Sequence, residues 1–238
     1  MNTRTPVADN RTENSTDPYR YPGWLKTGFW ICVVIAVAVV VRRVVALAHP
    51  SQGGTLQSSP SPNAVLDAVF ASHAALTLAH ILPAMAFVLL TPFVLLRGTG
   101  GVWAERLFFP LGFVVGLTAY AMSAYPVGGW VEVSAVLLFN SLFLFSLARA
   151  YRAMRRGEAA EKKRWMLRAV AILLGIATTR PVMGVFFATS RLTHLQPSQF
   201  FGLAFWIGFS INTVAIELWL RSRGYQAVNA RLAMRPGE

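Results

Sequence analysis

Phe29-Trp30-Ile31-Cys32-Val33-Val34-Ile35-Ala36-Val37-Ala38-Val39-Val40-Val41 contains neither a charge nor a proline, and with its flanks it extends over 24–48, long enough to cross a bilayer. Arg42 and Arg43 interrupt the run before Val44-Val45-Ala46-Leu47-Ala48, and are read as side chains snorkelling to the far interface. Ala46-Leu47-Ala48 also fits a signal-peptide cleavage pattern. The long polar lead and the two arginines favour a retained span. The whole chain has the same character: 238 residues, 55% hydrophobic and 13% charged, with a mean hydropathy of +0.48. That is too apolar for a soluble domain and leaves no room for a large catalytic unit outside the membrane. The single cysteine, Cys32, excludes an intramolecular disulfide and a cysteine metal cluster.

Further apolar stretches are read as spans at 64–96, 107–125, 130–151, 165–188 and 200–220. The second exceeds what a bilayer needs, so it tilts, kinks near Pro83 or Pro92, or projects. Residues 50–62 form a loop rich in Ser, Gly and Pro. The expected architecture is an all-α polytopic membrane bundle of about six transmembrane helices. It divides into a flexible polar tail (1–23), a transmembrane domain (24–222) with a basic loop at 152–164, and a C-terminal tail (223–238). Six spans place both termini on one side, which then carries 18 of the 22 Lys and Arg. The positive-inside rule makes that side cytoplasmic. The net charge of +12 is therefore mainly topological, with anionic lipid a partner for the basic loop. No nucleic-acid recognition module is present.

Ionisable groups at bilayer depth are costly, so function is sought among them. His73, Thr77, His80 and Thr91 fall on one face of the second helix. His80 lies about 24 Å, and Arg180 about 22 Å, from the cytoplasmic edge at ~1.5 Å per residue. Glu132 is at similar or shallower depth, so His80, Arg180, Glu132 and His73 form a candidate polar or ligand cluster. The plainer reading is a buried structural ion pair of Arg180 beside a hydrogen-bonded histidine. Towards the cytoplasm, Arg106, Arg164, Arg168, Asn212 and Glu217 form a candidate network, with Glu217 neutralising an arginine and Asn212 bonding between helices. Gly112-x-x-x-Gly116 reads as a packing motif. Haem b would need a second axial ligand from His49 or His194, because His73 and His80 share a helix. No metal motif is present, and no catalytic motif suggests an enzyme.

At these residues the chain resembles an uncharacterised family of bacterial membrane proteins, domain of unknown function 2306. The resemblance rests on His80-Ile81-Leu82-Pro83 through Thr91-Pro92-Phe93, Arg164-Trp165-Met166-Leu167-Arg168, Thr178-Thr179-Arg180, and Trp206 through Asn212 to Glu217. It implies an inner-membrane helical bundle and marks His80, Arg164, Arg168, Arg180, Asn212 and Glu217 as the family's polar positions, without an established reaction. Where the family has His-Arg before its third span this chain has Glu105-Arg106, and where it has a histidine before Arg-Trp-Met this chain has Lys162. Any inner histidine site of the family, for metal or haem, is thus missing here.

Three functions follow. The preferred one is a non-catalytic accessory or small-ligand-binding membrane component, associating with lipid and with other membrane subunits. The alternatives are an electron-transfer protein holding haem or quinone at His80 and Arg180, and a small proton-coupled transporter using His80, Arg180, Asn212 and Glu217.

Overall fold

Pro22 starts the first helix by accepting the amide protons of Leu25 and Lys26 on its carbonyl, and the apolar run beyond it stays helical from Gly23 to Ala48 (α1). The computed structural model describes residues 21–48, 68–95, 102–194 and 196–233. The N-terminal tail up to residue 20, the loop at 50–62, His49 and Arg97 lie outside them. After it come α2 (Ala74–Leu95), α3 (Val102–Met122), α4 (Gly129–Arg155), α5 (Ala159–Thr193) and α6 (Pro197–Ala233). Among the described residues there is no strand. Among the described residues five helices are long and apolar enough to cross a membrane. The other, α3, opens with Glu105 and Arg106 in its first turns.

Local chemistry sets the ends. Gly129 (φ +61°) and Gly157 (φ +74°) supply left-handed turns before α4 and after it. His194 closes α5 in the same region at φ 53°, donating its amide proton to the Ser190 carbonyl. Pro197 opens α6, where its missing N–H costs nothing, and the Gln199 side chain accepts the Gln196 amide proton at 2.9 Å. The interruption in the second span falls at His73, between helical residues 68–72 and α2, while Pro83 and Pro92 stay inside the helix. At ~1.5 Å per residue α5 and α6 exceed a hydrocarbon core of about 30 Å, so both project beyond it. They therefore run past the apolar stretches at 165–188 and 200–220.

α5 sits at the centre, touching α1, α2, α4 and α6, with its largest interface against α6. Phenylalanines fill the middle: Phe87 meets Phe108 at 4.4 Å between ring centroids, and Phe139 stacks on Phe209 at 5.3 Å. Large apolar side chains such as Ile31, Val34, Leu82, Phe145 and Leu218 point outward, as contact with lipid requires. Small residues permit the closest approaches. Gly112 and Gly116 receive Leu147 and Leu144 of α4, whereas Gly202 and Gly208 meet backbone. A Cβ on Gly202 would stand 2.7 Å from the Glu132 nitrogen, and one on Gly208 2.7 Å from the Thr179 nitrogen. Side chains can rotate away, but backbone cannot.

Gly202→Ala is therefore expected to force α4 from α6 and destabilise the bundle by about 1–3 kcal/mol, as overpacking does. Gly184→Ala, where an added Cβ meets nothing within 4 Å, should be neutral or stabilising. Thermal unfolding of both variants in detergent tests this; equal behaviour would contradict the packing.

Candidate functional site

The glycine contacts set depth. At the far end of the bundle α1 and α3 stop and α2 and α4 begin; the opposite, terminal end holds the first turn of α1. Gly202 lies at the level of Glu132, and Gly208, six residues further along α6, at the level of Thr179. Arg180, one residue nearer the far end than Thr179, thus branches from a point about 7–8 Å deeper than Glu132. On the other side of the bundle, Asn140 donates to the Gly116 carbonyl at 2.8 Å, and Thr118, two residues on, meets His80. His80 on α2 and Arg180 on α5 consequently stand at about one level.

Both line a cavity of about 230 Å³, to which residues from all six helices contribute. His73, His80, Glu132 and Arg180 all line it. Its walls are otherwise mainly apolar, with Val88, Phe139, Phe205 and Phe209 among them.

Each polar group in the cavity is held differently. The Thr118 hydroxyl donates to the Val114 carbonyl at 2.7 Å, so towards His80 Nδ1, 2.9 Å away, it acts as the acceptor of an N–H. The Val115 carbonyl is a further acceptor for this ring. His73 stacks on Tyr125 with ring centroids 3.7 Å apart, and its Nδ1 meets the Ser72 hydroxyl at 3.0 Å. Glu132 reaches back to accept the Gly128 amide proton at 2.7 Å, capping its own helix. Thr77 and Thr91 donate to the Phe70 and Phe87 carbonyls, satisfied within their own segment.

Arg180 differs from the ion pair expected of it. Among the described residues it has no carboxylate partner, its Nε is buried without any hydrogen bond, and Nη1 only approaches the Met183 sulfur at 4.0 Å. Glu132 is committed to the helix end, so the four residues share a cavity without forming a charged cluster. Arg43 also departs from its expected place. Adjacent helical residues point about 100° apart, so Arg42 faces outward while Arg43 turns inward, 7% exposed, with its guanidinium 4.2 Å above the Phe70 ring. Thr118, Tyr125 and the inward Arg43 carry no signal in the sequence, because each depends on how neighbouring helices face one another.

His194 is exposed at the α5 terminus and outside the cavity lining. With His73 just before α2, no second histidine faces His80 across the cavity among the described residues. Nor do those residues contain a group of three or more His, Cys, Asp or Glu able to hold a metal ion.

At the other end the candidate network divides. Arg168 donates to Glu217 through Nε at 2.9 Å and Nη2 at 3.3 Å, and Arg221 donates to the same carboxylate at 3.2 Å. Asn212 lies apart, accepting from Thr178 at 2.8 Å and donating to the Ala171 carbonyl at 3.3 Å. Arg106 is exposed, its guanidinium 5.5 Å from the Trp103 ring, and Arg164 is exposed as well. Trp165 instead ties this end together: Arg149 and Arg168 lie against its ring, and its indole N–H donates to Glu161, which also pairs with Arg149 at 3.1 Å. The two departures from the resembled pattern meet directly, Lys162 pairing with Glu105 at 2.7 Å. An ion pair occupies the place where an inner histidine site was considered.

These features define a polytopic helical membrane protein with a mixed polar and apolar cavity within the bundle. The model of the DUF2306 family, described as a predicted membrane protein, matches residues 77–220. The chain belongs to that family. No curated protein and no solved structure matches it.

Glu105→Lys alone should lower the thermal midpoint by placing two cations side by side. Adding Lys162→Glu should restore it, with a coupling of about 0.2–1 kcal/mol for this partly exposed pair. Additive losses in the double-mutant cycle would remove the pairing.

Proposed function

We propose that this protein is a non-catalytic component of the bacterial inner membrane that holds a small ligand in the cavity lined by His80 and Arg180, with both termini in the cytoplasm. One observation carries the reading: Arg180 Nε, buried without a hydrogen-bond partner, borders an apolar cavity of about 230 Å³ that the His80 ring also lines. Bilayer-depth polar groups ordinarily find partners within the protein, and here Thr77, Thr91, Asn140 and Asn212 do so. Ligand cavities characteristically combine apolar walls with a few converging polar groups.

The orientation rests on charge. Lys and Arg concentrate at the terminal end, especially through 152–164, while Arg42 and Arg43 stand at the other. The exposed Arg152, Arg155, Arg156 and Arg164 give anionic lipid headgroups a surface to approach. Association with further membrane subunits belongs to the same proposal.

The reading predicts that protein purified from membranes carries a small molecule in near-stoichiometric amount. Organic extraction with mass analysis, run beside a reduced-minus-oxidised absorption spectrum, tests it. The expected result is a recovered ligand and a flat difference spectrum. Haem bands or a recovered redox-active quinone would overturn the non-catalytic assignment in favour of electron transfer.

A further inference from the structure

The ligand-binding reading leaves the ligand's chemistry open, and Arg180 narrows it. A guanidinium stays charged in proteins, and burying a charge is expensive unless an opposing group meets it. Arg180 has no such group: Nε is buried and unbonded, and no carboxylate of the described residues lies within ion-pair distance. Glu132, the acid in the same lining, branches from the chain about 7–8 Å nearer the far end and accepts the Gly128 amide proton. The polar end of the cavity is therefore built for an acceptor that bears negative charge, and a carboxylate meets a guanidinium through two parallel hydrogen bonds.

The rest of the space selects for apolar bulk. Phe139, Phe205 and Phe209 stand beside Val88 and Ile176 in the lining, so a small inorganic anion would leave most of that surface uncovered. A dry cavity of about 150 Å³ accommodates benzene, and about 230 Å³ exceeds that by enough to admit a charged headgroup with a ring or short chain.

We propose that the cavity takes a carboxylate-headed amphiphile, its head at Arg180 and its hydrocarbon body against the phenylalanine wall. The inference rests on the ligand-binding reading of this cavity. Such a molecule has two sources: an aliphatic acid entering from the bilayer, or an aromatic acid entering from the aqueous phase.

The test uses the full chain, stripped of bound lipid and placed in phosphatidylcholine nanodiscs. Thermal unfolding is followed against rising octanoate, benzoate or 1-octanol, for the unaltered chain, Arg180→Gln and Ala119→Phe. Ala119 lines the cavity, and a phenylalanine there fills it without touching the charge. Octanoate or benzoate should stabilise the unaltered protein at concentrations about tenfold below any effect of octanol, and each substitution should abolish that preference. Preference for octanoate over benzoate would mark the bilayer as source; the reverse would mark the aqueous phase. Octanol acting as well as octanoate, with both effects lost in Ala119→Phe, would overturn the anion assignment and leave the ligand-binding reading intact. No stabilisation of the unaltered chain by any of the three would overturn both. The octanoate and octanol comparison on the unaltered chain requires no variant to fold.

Discussion

Hydrocarbon offers no hydrogen bonds, so a polar group carried to bilayer depth must be met by protein or remain as a cost on the fold. Most of this bundle's interior follows from that constraint. Threonines on α2 return their hydroxyl protons to nearby carbonyls. Asn140 ties α4 to the α3 backbone, and Asn212 ties α6 to α5 through Thr178 and Ala171. These bonds fix the rotation of helices that apolar contact alone would leave free to turn, because one aliphatic face packs much like another. Against this background the unmet Nε of Arg180 stands out, and the functional reading begins there.

The same rotations create the cavity. Close approach at Gly202 and Gly208 draws α6 against α4 and α5, while rings such as Phe87, Phe108 and Phe143 hold α2, α3 and α4 together on the other side. The space left between these two contacts is lined from several helices, with His80 of α2 and Arg180 of α5 both facing it. Packing thus places the polar pair at an opening that neither helix forms alone.

The terminal end is organised by charge. Three of its carboxylates are shared with cations: Glu217 with Arg168 and Arg221, Glu161 with Arg149, and Glu105 with Lys162. Partly exposed pairs of this kind add little stability individually. Their effect is to hold the first turns of α3 and α5 and the last turn of the α6 span in register, around the indole of Trp165. The excess arginines remain outward, available to a charged lipid surface.

The all-helical membrane fold was legible from composition and from apolar runs such as 29–41, because spanning hydrocarbon leaves a chain so few options. The family resemblance was legible too, since its motifs are local strings. Helix rise alone placed His80 and Arg180 at a common depth, a quantity that depends only on counting residues along each helix. What counting does not supply is the azimuth of one helix against another. The sequence therefore left Thr118 unassigned to His80, sent Arg43 outward with Arg42, and supposed a partner for Arg180. It also noted Glu105 and Lys162 as separate departures, although they touch across 57 positions of chain. Depth and helicity are properties of a single segment and its solvent, so the sequence by itself determined them. Which side chains meet, and which one is left unmet, depends on how six segments rotate and pack together, and only the tertiary structure decided it.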